Sequence, residues 1–337
     1  MKVGILMLNF GGPWTLRKVR PFLYRLFSNP RVLVGIPSPL RQLLALMITL
    51  VKGPSSIRSY RSIGGGSPQL RWTETQAEGL RGLLDSDSIR VEIGMRSADP
   101  TIATALRRLQ SWGANEVILL PLFPQFSTTT TGTCFDEVSA VLEGLDWKPQ
   151  LRAINNWPDH PLYIQLLRQT TDEAVAAAEA SRNGNEGPVH VLFSAHSLPL
   201  KIVKLGDPYP AQVKQTVEAV TLGLKQPWSL AYQSRNGRLP WLEPYLDDEL
   251  KHLGRQGVSN VVVVPISFVS DHIETLFELD QLYADVAKQH GIANYNRARC
   301  FNGDGMFSQV LYSIVVDRDH SFPVDNVASS VAEPLSA

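Results

Sequence analysis

The sequence predicts an α/β fold built from two similar halves. Near-continuous Val/Ile/Leu runs of strand length alternate with longer stretches of helical period. Such runs are typical of strands buried on both faces of a parallel sheet, and their alternation with helices indicates βαβ units. The clearest predicted strands are Val3–Leu8, Val117–Leu122, Val189–Phe193 and Val261–Ile266. The predicted helices include Thr101–Trp112, Pro161–Ala180, Gln212–Leu224 and Leu246–Leu253.

An internal repeat indicates that the two halves arose by duplication. The segment Asp99–Pro121 matches Glu243–Pro265 at a constant offset of 144 residues. The offset pairs prolines, leucines, glycines and valines, namely Pro100 with Pro244, Leu106 with Leu250, Leu109 with Leu253, Gly113 with Gly257, Val117 with Val261 and Pro121 with Pro265. The repeated unit is a helix, a glycine C-cap, a strand and a loop. We therefore expect a ligand between the halves, outside the carboxyl ends of the strands.

The length of 337 residues fits two domains. The proline-containing segment Ile154–Tyr163 marks the boundary, so we expect a first half at 1–153 and a second at 154–304. We expect a C-terminal helix at 305–316 to pack back on the first half, and residues 317–337 to form a disordered tail.

Charge and cysteine content exclude several classes of protein. Lys+Arg and Asp+Glu both number 32, so no basic domain suggests a nucleic-acid partner. The only cysteines, Cys134 and Cys300, form no CxxC or Cys/His cluster, which disfavours a zinc site or a disulfide framework. MKVGILMLNFGGP has the features of a buried first strand rather than a signal peptide. No 18-residue apolar run is present, so we expect a cytoplasmic protein without a membrane span.

The strongest candidate for a reactive group is His196 in VHVLFSAHSLP. Strand alternation places His190, Leu192, Ser194 and His196 on one face, with His196 at the carboxyl end of the strand. Reactive groups of α/β folds lie at that end. A single histidine is more often structural, which is our interpretation of His190.

A second candidate site is the acidic run in VPISFVSDHIETLFELD. It places five oxygen or nitrogen ligands within ten residues, namely Asp271, His272, Glu274, Glu278 and Asp280. Glu274 and Glu278 are i,i+4 neighbours, whereas His272 shares their face only if the helix widens to π geometry. A solvated acidic helix face is the ordinary interpretation of such a run. Because this one follows a buried strand directly, we favour a path for a divalent metal such as Fe²⁺.

Two further segments leave alternatives open. The loop in LPLFPQFSTTTTGT follows the equivalent strand of the first half, and its hydroxyls either bind a carboxylate or phosphate or cap the next helix. The apolar segment Leu40–Val51 is too short to span a bilayer. It is either a buried helix or an interfacial lip that touches lipid or an apolar substrate, with Arg41 and Lys52 at its ends.

The sequence resembles the ferrochelatase family in segments that follow that family's order. They are LMLNFGGP, FLYRLFSNP, YRSIGGGSP, GMR followed by DP, LPLFPQFSTTTTGT, FSAHSLP, GDPY, YQSR with PWL, and VPISFVSDHIETLFELD. The resemblance implies two Rossmann-like, chelatase-type halves, each a parallel four-stranded sheet flanked by helices, with a porphyrin cleft between them. It also implies a lyase that inserts its substrate Fe²⁺ into protoporphyrin IX to form protohaem, the terminal step of haem biosynthesis.

The resemblance also implies roles for particular residues. His196 and Glu274 match the family's catalytic pair at the metal, and Asp271, His272 and Glu278 match its acidic metal or proton path. The porphyrin-binding positions are Phe10, Arg96, Phe123, Ser127, Thr130, Thr131 and Trp241. The sequence departs from the family pattern at Phe123 and Phe126, where tyrosine is usual, and at Ser97, where an aromatic residue is common.

The resemblance bears on cofactors and partners as well. Some members bind a [2Fe–2S] cluster, but Thr128 stands where a cysteine ligand can lie, and two cysteines cannot supply four thiolates. We therefore expect no cluster and no required cofactor, and peripheral contact of residues 40–51 with the inner face of the cytoplasmic membrane. The alternatives are a coproporphyrin III ferrochelatase or related tetrapyrrole chelatase and, in another class, a non-catalytic tetrapyrrole-binding protein.

Overall fold

The computed structural model describes residues 1–84, 86–181, 187–235, 237, 239–317 and 321–323. The chain divides into two compact units. The first comprises Met1–Trp157 and the segment that begins at Asn302, and the second comprises Pro158–Phe301. Each unit contains its own sheet.

In the first unit, four parallel strands follow the order β2-β1-β3-β4. Their bounds are β1 Val3–Asn9, β2 Ile89–Met95, β3 Glu116–Pro121 and β4 Gln150–Ile154. The helices of this unit are α1 Val19–Phe27, α2 Ser38–Ser62, α3 Gln69–Leu84, α4 Ile102–Trp112, α5 Thr131–Glu143 and α11 Gly305–Val316. Apolar residues of α4 and α5 share one core with β1 and β3, in which Leu6, Leu106 and Val117 are fully buried.

In the second unit, the parallel order is β6-β5-β7-β8. Its strands are β5 Val189–His196, β6 Trp228–Gln233, β7 Asn260–Pro265 and β8 Asn294–Arg297. Its helices are α6 Pro161–Ala180, α7 Leu200–Lys204, α8 Tyr209–Thr221, α9 Leu246–Arg255, a π-helix at Glu274–Tyr283 and α10 Ala284–Gln289. The two sheets thus have the same strand order, and the predicted α/β class with two similar halves is confirmed.

The structure also confirms the repeated unit. Helices α4 and α9 begin at Ile102 and Leu246, and strands β3 and β7 span 116–121 and 260–265. Gly113 and Gly257 follow these helices with φ of 83° and 78°, a left-handed conformation that favours glycine. The expected cleft between the halves stays a prediction.

The limits of the units differ from those expected at 153/154 and 304. Trp157 is fully buried in the first unit, where its Nε1 donates to the Pro121 carbonyl at 3.1 Å. The second unit ends at Phe301 because the next residue, Asn302, accepts a bond from Gln76 Nε2 at 2.8 Å in the first unit.

The C-terminal segment contains one helix and one strand within the described residues. Helix α11 packs against α3 in the first unit, and Gly79 of α3 lies against Ser308. Part of the segment expected to be disordered forms a short strand, β9, at Ser321–Pro323, antiparallel to β4. This strand covers the backbone groups of what would otherwise be an edge strand. The other residues after Asp317 lie outside the described residues.

Candidate active site

His196 is the last residue of β5 and is paired with Gln233 of β6. Its Nδ1 lies 2.6 Å from the carbonyl oxygen of Ser197. A carbonyl oxygen can only accept, so Nδ1 carries the proton in the neutral ring. Nε2 is therefore the nitrogen with a free lone pair, which is the atom needed for a base or a metal ligand.

A buried polar framework holds the loop that follows His196. The Ser197 amide donates to the Gln233 carbonyl at 2.8 Å, and the Ser197 hydroxyl donates to the Leu242 carbonyl at 3.1 Å. The Leu242 amide donates in turn to the Leu198 carbonyl at 2.9 Å. This pairing places Trp241, one of the predicted porphyrin residues, opposite Pro199 in the segment that follows His196.

Phe268 lies between His196 and His272, the second residue of the acidic run. Its ring lies edge-on to the His196 ring at a centroid distance of 6.4 Å and edge-on to the His272 ring at 4.6 Å. His272 Nε2 lies 3.3 Å from Glu274 Oε2. The structure therefore brings together three residues that the sequence predicted from two separate segments.

His272 is neutral in this environment. Burial lowers its pKa, and the neighbouring Glu274 and Asp271 carboxylates only partly oppose that effect. A neutral ring that donates Nε2–H to Glu274 leaves a lone pair on Nδ1, and Nδ1 has no hydrogen-bond partner among the described residues. The neutral ring therefore keeps an unshared lone pair on Nδ1, the kind of atom through which an imidazole contacts a metal ion.

The acidic run forms a π-helix from Glu274 onward, the widening considered from the sequence, but His272 precedes this helix and reaches Glu274 from outside it. Side chains donate to three carbonyls of this helix: Gln233 of β6 to Glu274 at 2.9 Å, Gln281 of the same helix to Leu276 at 3.2 Å and Tyr295 of β8 to Leu279 at 3.0 Å. These donors satisfy carbonyls at the point where the wider i→i+5 pattern replaces the α-helical one.

Glu278 lies on the same helix, four residues after Glu274. Burial and the nearby Glu274 carboxylate raise its pKa to about 7, although hydrogen bonds from Ser234 and Gln233 oppose the shift. The Ser234 hydroxyl lies 2.5 Å and Gln233 Nε2 lies 3.0 Å from Glu278 Oε2. Ser234 holds this position with φ of 66°, a left-handed conformation uncommon for serine. A carboxyl group that titrates near neutral pH can take up and release protons.

Asp271 occupies a different environment from the other predicted metal residues. Arg297 Nη1 lies 3.1 Å from Asp271 Oδ1, and the Thr275 hydroxyl donates to the same oxygen at 3.0 Å. Its carboxylate is therefore neutralised by a guanidinium. In the part of the chain that the structure describes, no three His, Cys, Asp or Glu side chains converge as a group that could hold a metal ion.

Three predicted porphyrin residues lie at the carboxyl ends of strands in the first unit. Phe10 follows β1, Arg96 follows β2 and Phe123 follows β3, and all three are partly exposed. Backbone bonds link two of these ends, because the Arg96 amide donates to the Asn9 carbonyl at 2.9 Å. The Arg96 side chain donates through Nε to the Thr133 carbonyl at 3.1 Å. These residues therefore share one edge of the sheet.

The serine and threonine loop is largely engaged with itself. Ser127 is 1% exposed and Thr131 is fully buried. The Ser127 carbonyl accepts bonds from the amides of Thr130 and Gly132 at 3.2 and 3.0 Å. Of the three predicted ligand-binding residues in this loop, only Thr130 is partly exposed. Ser127 and Thr131 shape the turn into α5.

Helix α2 presents its large apolar side chains to the outside. Small residues face inward, since Ala45, Thr49 and Gly53 are buried. The exposed fractions of the outer residues are 57% for Leu40, 57% for Leu43, 46% for Leu46, 53% for Met47, 51% for Leu50 and 74% for Val51. The alternative of a buried core helix is therefore wrong. No helix among the described residues is both long enough and apolar enough to cross a membrane.

Several site residues were not singled out from the sequence. Arg297 lies in the polar strand NYNR, which has no apolar pattern to mark it as a strand. Phe268 carries no charge or metal-binding group, so nothing distinguished it from a core residue. Gln233 and Ser234 were visible only as part of YQSR in the family resemblance.

Comparison with solved structures shows that the fold is a known one. The chain superposes on "SirB from Bacillus subtilis with Fe3+" with a TM-score of 0.57 and 11% identity, covering 97% of this chain and 98% of that one. It superposes on "CbiX, the terminal Enzyme for Biosynthesis of Siroheme in Denitrifying Bacteria" with a TM-score of 0.51 and 13% identity, covering 94% and 98%. The fold is thus the one seen in these two proteins.

Sequence comparison then gives the family. The Ferrochelatase family model matches residues 2–319. A ferrochelatase of Synechococcus sp. (strain RCC307) is 39% identical over 322 residues, which are 93% of this chain and 82% of the relative. A mitochondrial ferrochelatase of Xenopus laevis is 38% identical over 344 residues, 99% of this chain and 82% of the relative. The chain belongs to the ferrochelatase family, the haem-biosynthesis lyases that insert a metal ion into a porphyrin.

Proposed function

We propose that this enzyme inserts Fe²⁺ into protoporphyrin IX to form protohaem, with His196 and Glu274 as its catalytic pair. The observation that carries the proposal is the continuous arrangement from His196 through Phe268 and His272 to Glu274, with Glu278 behind it. It supplies a free imidazole lone pair at one end and a carboxyl group that titrates near neutral pH at the other.

Metallation must remove two pyrrole protons and strip water from Fe²⁺. The Nε2 lone pair of His196 accepts a pyrrole proton, because its Nδ1 is engaged with the Ser197 carbonyl. Binding a bent macrocycle better than a flat one would expose a pyrrole lone pair and lower the barrier. The first unit contributes Phe10, Arg96, Phe123 and Thr130 to porphyrin binding.

The acidic run, Asp271–Asp280, provides the route for Fe²⁺ and protons. Glu274, Glu278 and the free Nδ1 of His272 are the groups that can hold Fe²⁺ briefly, and the two carboxylates are those that can pass protons. Asp271 supports this route indirectly, because Arg297 neutralises its carboxylate. Loose binding suits a metal that must leave for the porphyrin, since tight coordination would oppose transfer.

The apolar face of α2 favours protoporphyrin, which carries two carboxylates, over coproporphyrin, which carries four. The test measures kcat/KM under anaerobic conditions for protoporphyrin IX and coproporphyrin III, each with Fe²⁺, Zn²⁺ and Co²⁺. We expect protoporphyrin with Fe²⁺ to be preferred by at least about tenfold, equivalent to about 1.4 kcal/mol. A higher value for coproporphyrin III would assign the enzyme to the alternative substrate.

We further propose that α2 docks on an anionic membrane surface, which would place a cytoplasmic enzyme at the inner face of the cytoplasmic membrane. Its exposed apolar stripe would enter the headgroup region. The first 73 residues contain no Asp or Glu but three Lys and eight Arg, and Arg58 and Arg61 are exposed on α2 itself. Arg41, expected at the headgroups, donates instead to the Ser28 and Ile36 carbonyls, each at 2.9 Å.

We also propose that the enzyme works without an iron–sulfur cluster. The sequence holds two cysteines, and both are buried. Burial raises the pKa of the Cys134 thiol to about 12 and that of Cys300 well above its usual value. Neither group is therefore a ready thiolate ligand.

A further inference from the structure

Arg297 ends β8 and contacts two carboxylates of the acidic run. Its Nη1 lies 3.1 Å from Asp271 Oδ1, just before the π-helix. Its Nε and Nη2 bind the two oxygens of Asp280, inside the π-helix, at 2.6 and 2.9 Å. The side chains of Arg297 and Asp271 are only 12% and 14% exposed, so solvent screens this pair little.

The residues between these two anchors include those that the proposed chemistry uses. His272, Glu274 and Glu278 all lie between Asp271 and Asp280 along the chain. Tyr295, on the same face of β8 as Arg297, adds a third attachment by donating to the Leu279 carbonyl at 3.0 Å. One strand therefore contacts the π-helix at two points, Leu279 and Asp280, and the residues just before it at a third, Asp271.

We propose that Arg297 is a positioning residue that fixes the π-helical register of the acidic run and thereby the placement of His272 and Glu274. The inference rests on the proposed roles of those two residues. Arg297 does not touch substrate in this account. By holding Asp271 and Asp280, it sets the positions of the His272 and Glu274 side chains that lie between them along the chain.

The planar guanidinium is necessary for this task. It presents donors in a fixed fork, so it can bind Asp280 through two atoms while a third reaches Asp271. An ammonium group keeps the charge but cannot hold both carboxylates in this geometry. An Arg297→Lys change therefore removes the bridge while leaving the positive charge in place.

The test compares Arg297→Lys with Arg299→Lys as a matched control. Arg299 is two residues away and pairs with Glu173 at 2.8 Å, with both side chains more than 40% exposed at 43% and 45%. We expect Arg297→Lys to lower kcat for metallation by about ten- to hundredfold, because small displacements of catalytic groups cost that much. The KM for porphyrin should stay within about twofold, and Arg299→Lys should match the wild type.

Rates are expressed per folded molecule, from thermal melting curves of each variant. A wild-type kcat for Arg297→Lys, or an equal fall for Arg299→Lys, would overturn the inference. If Arg297→Lys does not fold, Asp280→Asn, which weakens only one anchor, is judged by the same criteria.

Glu274→Gln is measured in parallel, to separate a failure of the proposed function from a failure of this inference. If it is active, the proposed site is wrong, and if it is inactive while Arg297→Lys is normal, only the role of Arg297 is wrong.

Discussion

Glu278 retains a proton over a pH range in which an ordinary glutamate has lost it. Burial and the Glu274 carboxylate raise its pKa from 4.5 to about 7. Between these values the folded state binds a proton that the unfolded state does not, so this group makes stability fall as pH rises through that window. At about 1.4 kcal/mol per pKa unit the loss is at most about 3 kcal/mol, and partial exposure reduces it.

Replacing Glu278 with Gln should remove this pH dependence. The amide oxygen can still accept the bonds from Ser234 and Gln233, so the fold is retained. We expect the free energy of unfolding of the variant, relative to wild type, to rise between about pH 5 and about pH 8. Urea denaturation at a series of pH values measures the difference. A difference that is constant with pH would contradict a raised Glu278 pKa.

At the residue scale the sequence predicted groups that carry chemistry and missed those that support them. His196 was found because a polar residue at the end of an apolar strand is conspicuous. Phe268 and Arg297 were not, because their importance depends on contacts between segments distant in sequence. For the same reason, the ion pair that neutralises Asp271 could not be predicted, because its partner Arg297 lies 26 residues further along the chain.

The apolar stripe of α2 carries a prediction at the scale of a helix. Changing Leu43, Leu46 and Leu50 to Ser should weaken binding to vesicles of anionic lipid and raise the KM for protoporphyrin, with less effect on kcat. Each leucine contributes at most about 1.5 to 3 kcal/mol on transfer from water, and they are already 46% or more exposed in the free protein. The melting temperature should therefore change little.

A matched control replaces three exposed apolar residues elsewhere. Leu83, Leu222 and Val316 are 43%, 73% and 51% exposed, and changing them to Ser should leave vesicle sedimentation unaltered. Neutral vesicles should bind the wild type more weakly than anionic ones, because the first 73 residues carry Lys and Arg but no Asp or Glu, and negative headgroups attract positive charge. Unchanged binding of the Leu43, Leu46 and Leu50 variant would exclude α2 as the docking surface.

Elements with a strong apolar pattern were predicted closely, and polar ones were not. Helix α6 was predicted at its observed bounds of Pro161–Ala180, and β3 and β7 were displaced by only one residue. Strand β8 was missed because NYNR lies at the edge of its sheet and is only half-buried. From the sequence, a π-helix was considered so that His272 and Glu274 could share a face, whereas in the structure His272 precedes the helix, and the side-chain donors that stabilise the helix were not predicted.

At the scale of the whole molecule, the repeat in sequence predicted the repeat in structure. Both units have the same strand order, in agreement with the duplicated helix and strand that the 144-residue offset indicated. The boundary was less well predicted, since the burial of Trp157 depends on Phe307, 6.3 Å away between ring centroids and 150 residues later. Contacts across such distances leave no local pattern.

The cysteine content leads to a prediction about the purified protein. Its visible absorption should lack an iron–sulfur chromophore, and sulfide analysis should find no stoichiometric inorganic sulfide. Four thiolates cannot come from two cysteines whose pKa values are raised by burial. Stoichiometric sulfide would refute this argument.

The central claim is that His196 and Glu274 carry out metallation of protoporphyrin. The most direct measurement is the anaerobic rate of Fe²⁺ insertion by Glu274→Gln and His196→Ala at saturating protoporphyrin IX, with porphyrin affinity from fluorescence titration. We predict that each change lowers kcat by at least about 100-fold, the contribution of a positioned proton acceptor, while the Kd for porphyrin stays within about threefold. A Glu274→Gln or His196→Ala enzyme that keeps its rate at saturation but loses porphyrin affinity would contradict the claim.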